Sequence, residues 1–133
     1  MKNSKANILV ADDDERTRKM MEAMLTPQGY GVILAKDGKE AVDVACSKKP
    51  DFIFMDMMMP VMDGLAACYE IKANPVTKGI PLVMLTAMSE EGNKNLARDV
   101  WHADGYITKP VELKKLLETI AYFLESTAKL KNE

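Results

Sequence analysis

The sequence alternates strictly between short apolar runs and longer amphipathic stretches. Apolar runs of about four to eight residues are typical of buried strands, and apolar positions about three to four residues apart are typical of helices. Five runs are typical of strands: NILVA (7–11), VILA (32–35), FIFM (52–55), IPLVMLTA (80–87) and GYITK (105–109). A helical pattern follows each run, within residues 15–25, 36–49, 64–74, 89–103 and 111–125. Because nearly continuous apolar strands suit a parallel sheet covered on both faces, the pattern predicts a doubly wound α/β fold.

The length and composition of the chain suit one domain. The chain has 133 residues, 47% of them hydrophobic, and a formal net charge of −2, without the basic excess typical of nucleic-acid binding. We therefore expect a single domain over residues 1–133, with its core over residues 7–125 and flexible ends, and no nucleic-acid partner.

Nothing in the sequence suggests a membrane or an oxidising compartment. No apolar stretch approaches the roughly 20 residues of a membrane span, and the first apolar run is too short for a signal peptide. We therefore expect a cytoplasmic protein without a membrane partner. Cys46 and Cys68 are isolated within helical patterns, so we expect reduced core residues rather than a disulfide.

Polar residues mark the ends of four of the strand-like runs. They are Asp12, Asp13 and Asp14 after the first run, Asp56 after the third, Thr86 in the fourth and Lys109 in the fifth. In an open parallel sheet, ligands bind outside the carboxyl ends of the strands. If the first, third, fourth and fifth strands are neighbours, these side chains share one crevice.

The chemistry of this set favours phosphoryl transfer. Carboxylates that share a crevice repel one another, and a hard cation such as Mg²⁺ relieves the repulsion. Lys109 adds a second positive charge and Thr86 a hydroxyl, and positioning with charge neutralisation supplies most of the catalysis in phosphoryl transfer. A carboxylate can also be the nucleophile. Each residue alone is more often structural, and one of the three aspartates is expected to cap the first helix.

Four segments resemble the receiver domain of two-component response regulators. They are ILVADDDE (8–15), DFIFMDMMMPVMDGL (51–65), VMLTA (83–87) and ADGYITKP (103–110), in the order of the family. The resemblance covers nearly the whole chain and implies a flavodoxin-like fold, a five-stranded parallel sheet of order 2-1-3-4-5 with five helices. It also implies a cis peptide between Lys109 and Pro110. One departure is His102, which stands where the family often has a glycine suited to a left-handed helix end.

The resemblance implies a role for each carboxylate. Asp56 becomes the phospho-acceptor, and Asp12 and Asp13 become the acid pair that holds Mg²⁺ (or Mn²⁺). Asp56 and the backbone carbonyl of Met58 would complete the protein ligands of the metal.

Further residues take their roles from the same resemblance. Lys109 would contact the phosphoryl group, Thr86 would be the switch hydroxyl, and Tyr106 would be the aromatic side chain that turns inward on activation. Another three residues would flank the entrance to the phosphoryl group: Met58, Ala87 and Met88. Because a thioether is only a weak acceptor for a hydrolytic water, we expect a phosphoryl group that decays slowly.

The implied function is a phosphorylation-dependent signalling switch. A histidine kinase or phosphotransfer protein would present phospho-histidine to Asp56, and the chain would catalyse only its own Mg²⁺-dependent phosphorylation and dephosphorylation. A downstream protein partner would recognise the face formed by the fourth predicted helix (89–103), the fifth strand and the fifth predicted helix (111–125).

Three alternatives are less favoured by the sequence. A phosphatase of the haloacid-dehalogenase type carries its aspartyl nucleophile on the first strand in an Asp-x-Asp pattern, whereas Asp56 lies on the third. An interaction module without phosphorylation would not need the complete set of site residues. A flavodoxin-like cofactor binder would not place acids after its first strand, because they repel a phosphate.

Overall fold

The computed structural model describes residues 6–87 and 102–132, with the side chains of 126–132 left aside. Its strands are β1 (Asn7–Ala11), β2 (Gly31–Ala35), β3 (Phe52–Asp56), β4 (Leu82–Thr86) and β5 (Gly105–Thr108). Its helices are α1 (Glu15–Leu25), α2 (Gly38–Lys48), α3 (Gly64–Ala73) and the C-terminal helix (Leu113–Asn132), and a 3₁₀ turn (Thr26–Gln28) follows α1. The helix predicted for residues 89–103 falls almost wholly outside the described residues.

The five strands form one parallel sheet in the order β2-β1-β3-β4-β5. The predicted doubly wound fold and its strand order are therefore confirmed. The predicted cis peptide between Lys109 and Pro110 is also present. The C-terminal helix continues past the predicted end at residue 125 to Asn132, since neither glycine nor proline interrupts that segment.

The sheet buries a core on each face because successive residues of a strand point to opposite sides. The cluster on the side of α2 and α3 includes Leu9, Ala11, Ile53, Met55 and Met84, all fully buried. The cluster on the side of α1 and the C-terminal helix includes Ile8, Val10, Phe52, Phe54 and Leu85, equally buried. Two packed cores fix the backbone of β1, β3 and β4, and with it the direction of the side chains at their carboxyl ends.

Aspartates begin the first three helices. Asp14, Asp37 and Asp63 each accept a hydrogen bond from a backbone N–H in the first turn of the helix that follows. The predicted cap at Asp37 is thus confirmed, and among the first three aspartates it is Asp14 that caps α1. Neither Asp12 nor Asp13 caps any of these three helices.

The two cysteines are free thiols, as predicted. Cys68 is fully buried, and burial raises the pKa of its thiol to about 11. His102, the only histidine of the chain, is exposed and has a φ of 61°. Among residues 6–87 and 102–132, no helix combines the length and the apolarity that a membrane crossing requires.

Candidate functional site

The register of the sheet brings the polar strand ends together. Asp12 directly follows β1 and Asp56 ends β3. The residues just before them, Ala11 and Met55, are paired in the sheet, so the two aspartates lie side by side. Thr86 ends β4 opposite Thr108, and the backbone N–H of Lys109 donates to the Thr86 carbonyl oxygen at 2.8 Å. The crevice predicted for the carboxyl ends of β1, β3, β4 and β5 is therefore present.

Three carboxylates converge in this crevice. Asp12, Asp13 and Asp56 each offer an oxygen, and these oxygens lie within 4.8 Å of one another. Asp12 is 1% exposed and Asp56 5% exposed, whereas Asp13 faces solvent. Oδ1 of Asp12 accepts from the Asp14 backbone N–H at 2.9 Å. Oδ2 of Asp12 is buried without a hydrogen-bond partner among the residues that the structure describes.

Lys109 provides the positive charge that faces these acids. Its Nζ donates to Oδ1 of Asp56 at 2.8 Å and lies 3.5 Å from Oδ2 of Asp12. Burial would lower the pKa of the Lys109 ammonium group, but the hydrogen bond to Asp56 and the nearby carboxylates outweigh it and raise that pKa. The cation is therefore held in its charged form beside Asp56 and Asp12.

The surroundings of Asp56 disfavour its ionised form. Burial raises the pKa of its carboxyl group above the ordinary value of 3.8, the hydrogen bond from Lys109 lowers it, and the charges of Asp12 and Asp13 raise it further. The net direction is upward, so one lysine does not fully offset the burial of Asp56 among like charges.

The donor set fits a hard divalent cation. Three carboxylates lie close enough to share one ion, and within the described part of the chain the buried Oδ2 of Asp12 has no hydrogen-bond partner. Mg²⁺ takes oxygen ligands, commonly one or two carboxylates with waters and phosphate oxygens. Asp12, Asp13 and Asp56 are thus the residues that could hold such an ion.

Asp56 opens into a cavity of about 520 Å³. Its lining consists of Asp56, Met57, Met58, Leu85, Thr86, Ala87 and Lys109. Met58 is 75% exposed, so its side chain borders this cavity without being packed into the core. Met88, predicted to flank the same entrance, lies outside the described residues.

The loop from Met57 to Asp63 is held at both ends by backbone hydrogen bonds. Gly64 N–H donates to the Met57 carbonyl oxygen at 2.9 Å, and Gly38 N–H at the start of α2 donates to the Met62 carbonyl oxygen at 2.9 Å. Between them, Met62 N–H donates to the Pro60 carbonyl oxygen at 2.7 Å, and Val61 has a φ of 67°. This is a tight γ-turn with a positive central φ, a rare and strained form.

Tyr106 lies on β5, opposite Met84 of β4. It is half-buried, packs against the core cluster on the side of α2 and α3, and lines a second cavity with Lys115 and Tyr122 of the C-terminal helix. Of the predicted partner face, the structure describes β5 and the C-terminal helix, where Tyr122 is 68% exposed.

The chain matches a known protein family over most of its length. The family model of the response regulator receiver domain matches residues 8–121, which include the acidic crevice and all five strands except Asn7 of β1. The chain belongs to this family. The resemblance deduced from the four sequence segments is therefore confirmed.

Curated relatives of this receiver domain are longer proteins. Response regulator PleD of Caulobacter vibrioides is 39% identical over 107 residues, which cover 80% of this chain and 23% of PleD. The probable transcriptional regulator ycf27 of Guillardia theta is 34% identical over 126 residues, which cover 95% of this chain and 48% of ycf27. The chain thus spans less than half the length of either relative.

Solved structures share the fold of this receiver domain. One is the receiver domain of sensor histidine kinase PA1611 from Pseudomonas aeruginosa PAO1, which has a magnesium ion coordinated in its active-site cleft. It is 32% identical with a TM-score of 0.79, and the match covers 88% of this chain and 95% of that chain.

Two contacts that shape the crevice of this receiver domain were not predicted from the sequence. Arg18 Nη1 donates to the Asp12 carbonyl oxygen at 2.7 Å, and Gly64 packs directly on the backbone of Asp56. The Asp63-Gly64 pair was a signal for the second contact, since it marks the start of α3. For the contact of Arg18, the only pointer in the sequence is that this residue lies one turn into α1.

Proposed function

We propose that this receiver domain is a phosphorylation-dependent signalling switch with Asp56 as the phospho-acceptor. The observation that carries the proposal is the hydrogen bond of 2.8 Å between Lys109 and a buried Asp56, at the mouth of a cavity and beside two further acids. The Asp56 carboxylate therefore borders the cavity, and the ammonium group of Lys109 lies beside it.

The donor is a phospho-histidine on a histidine kinase or phosphotransfer protein. An oxygen of Asp56 attacks the phosphorus, the P–O bond to Asp56 forms, and the P–N bond to the histidine breaks with its electron pair returning to the imidazole. Lys109 neutralises charge on the phosphoryl oxygens, and the tightly packed end of β3 keeps the nucleophile in position.

Asp12, Asp13 and Asp56, with the backbone carbonyl of Met58, would hold Mg²⁺ or Mn²⁺. A bound divalent ion supplies charge neutralisation for the phosphoryl oxygens. Support comes from the three converging carboxylates and from the magnesium ion in the cleft of the PA1611 receiver domain.

The output depends on Thr86 and Tyr106. In the proposed switch the Thr86 hydroxyl bonds the phosphoryl group and Tyr106 turns inward, which shifts the population between two packings of the domain. A protein partner then recognises the face that includes β5 and the C-terminal helix. Hydrogen exchange that changes on phosphorylation only at other surfaces would contradict this part of the proposal.

Phosphorylation of the purified chain tests the proposal directly. Incubation with acetyl phosphate and Mg²⁺ should add one alkali-labile phosphoryl group, detected by intact mass and mapped to Asp56. Asp56→Asn should abolish it, because an amide is not a nucleophile of this kind, whereas Asp43→Asn, which changes an exposed acid on α2, should retain it. Labelling that persists in Asp56→Asn would place the nucleophile elsewhere. An unlabelled wild-type chain would favour an interaction module.

A further inference from the structure

Arg18 reaches from α1 to the backbone of the acidic segment. Its side chain is half-buried, and Nη1 donates to the carbonyl oxygen of Asp12 at 2.7 Å. Hydrogen bonds from a charged donor are shorter and stronger than neutral ones. The guanidinium group is thus fixed on a peptide group six residues earlier in the chain, and it contacts none of the three carboxylates by a hydrogen bond within the described residues.

The bond from Arg18 completes the restraint of Asp12. The Asp12 N–H donates to the Ala35 carbonyl oxygen at 3.1 Å, and its Oδ1 accepts from the Asp14 N–H at 2.9 Å. The carbonyl oxygen, held by Arg18, is the third fixed group. Because the peptide bond is planar, holding this carbonyl also sets the plane of the amide that leads into Asp13.

Asp13 depends on its backbone for its position. Its carboxylate is exposed and belongs to the group of three acids, but no hydrogen bond from another described side chain holds it. Asp12 and Asp56, by contrast, are buried and directly bonded. The peptide that Arg18 holds fixes the position of the Asp13 Cα, from which the carboxylate extends.

We infer that Arg18 is a positioning residue for the cation site: it fixes the Asp12–Asp13 peptide so that the Asp13 carboxylate is directed toward Asp12 and Asp56. The inference rests on the proposed function, since it concerns the same site. Partners that orient metal ligands typically change metal affinity by about 10- to 100-fold when they are removed.

The charge of Arg18 and its hydrogen bond have separable effects. Arg16 lies two residues earlier on the same helix with a side chain that is 96% exposed, and its ion pair is with Asp14 at 4.0 Å. Arg16→Ala therefore removes the same charge from the same turn of α1 without touching the Asp12 carbonyl. Arg18→Gln removes the charge but keeps an N–H donor, and Arg18→Ala removes both.

Calorimetric titration of the metal-free chain with Mg²⁺ is the first measurement. We expect Arg18→Ala to weaken Mg²⁺ binding about 10-fold, Arg16→Ala to leave it close to the wild-type value, and Arg18→Gln to lie between them. Urea unfolding in the absence of metal shows whether the variants fold. Equal losses of affinity in Arg16→Ala and Arg18→Ala would overturn the inference, because charge alone would then explain the effect.

A metal-free measurement separates this inference from the proposed function. Amide exchange and ¹⁵N relaxation should show Asp13 and Asp14 more mobile in Arg18→Ala than in Arg16→Ala, with the rest of α1 unchanged. If the wild-type chain did not bind Mg²⁺, the metal requirement of the proposed function would fail, while this comparison would still decide whether Arg18 holds the segment. Unchanged mobility at Asp13 would overturn the inference.

Discussion

Gly64 lies directly against the backbone of Asp56. A Cβ added at residue 64 would collide with the Asp56 carbonyl oxygen and lie 2.9 Å from its carbonyl carbon and 3.0 Å from the Met57 Cα. All of these neighbours are backbone atoms, which cannot rotate away as a flexible side chain can. The start of α3 thus fixes the position of the strand end that carries Asp56, the proposed acceptor.

Gly64→Ala should therefore destabilise the fold and displace Asp56, the proposed acceptor. We expect a loss of roughly 1–3 kcal/mol in the free energy of unfolding, the usual effect of overpacking, and slower labelling by acetyl phosphate. Urea unfolding and the labelling rate measure the two effects. The control is Gly79→Ala, since a Cβ there meets no atom within 4 Å. Equal stability of the two variants would mean that the contact at Gly64 relaxes freely.

The strands, the helices and the position of the crevice could be predicted from local sequence patterns. The contacts that shape the crevice could not. Apolar runs place Asp12, Asp56 and Lys109 at strand ends, and parallel strands bring such ends to one edge. The residue type could not show which of the three aspartates caps α1, because all three are equally suited to capping. The choice of Asp14 depends on the local backbone geometry. The bond from Arg18 to Asp12 depends on how α1 lies on the sheet.

Val61 has a positive φ, a backbone conformation that valine disfavours. A β-branched side chain disfavours positive φ, so a γ-turn centred on Val61 was not predictable from its sequence. The turn is imposed by its surroundings, because Gly38 holds Met62 and Gly64 holds Met57. Such strain persists only where the rest of the structure determines the conformation.

Val61→Gly should stabilise the chain. Val61 is 80% exposed, so little packing is lost, and relief of the positive φ outweighs the entropy that glycine adds to the unfolded chain. We expect a gain of about 1 kcal/mol in the free energy of unfolding, within the 1–3 kcal/mol that strained residues typically store. Val76→Gly is the matched control: this valine is 56% exposed without positive φ, and it should lose stability. A loss at both positions would show that Val61 is not strained.

The stability of the metal-free chain should depend on the charge of Asp56. Because burial raises the pKa of Asp56 above 3.8, the folded chain binds this proton more tightly than the unfolded chain. The resulting stabilisation is present below 3.8 and is lost as the pH rises through the folded pKa. At neutral pH the ionised carboxylate therefore costs stability, and Asp56→Asn should raise the free energy of unfolding.

Urea unfolding in EDTA across acidic to neutral pH measures this difference. The advantage of Asp56→Asn should shrink as the pH falls toward 3.8. Asp43→Asn is the control, since its exposed ion pair with Lys39 at 3.6 Å is worth less than about 1 kcal/mol. An Asp56→Asn variant less stable than the wild type at neutral pH would show that the bond to Lys109 outweighs burial.

Mg²⁺ should raise the melting temperature of the wild-type chain. An ion that binds the folded state and not the unfolded chain stabilises the fold by mass action, and it would also relieve the repulsion among Asp12, Asp13 and Asp56. Asp13→Asn should reduce the shift, since it removes the exposed member of the set at little cost to the core. Thermal melts with and without millimolar Mg²⁺ provide the measurement. A wild-type melting temperature that does not respond to Mg²⁺ would contradict the metal site.

The lifetime of the phosphoryl group should depend on Met58. This side chain is 75% exposed and borders the cavity that Asp56 shares with Thr86, Ala87 and Lys109. A hydrolytic water must be oriented for in-line attack on the phosphorus, and a thioether is a weak acceptor, whereas an amide both donates and accepts hydrogen bonds. We therefore expect slow decay in the wild-type chain and faster decay in Met58→Asn.

Autodephosphorylation at saturating Mg²⁺, followed by intact mass, checks this expectation. The variant Met88→Glu and the double variant extend the test to the second predicted flank of the entrance, which lies outside the described residues. Val76→Asn is the control, because it adds the same amide at an exposed position that does not line the cavity. If all variants decayed at the wild-type rate, the metal and Lys109 alone would set the lifetime, and Met58 would have no part in it.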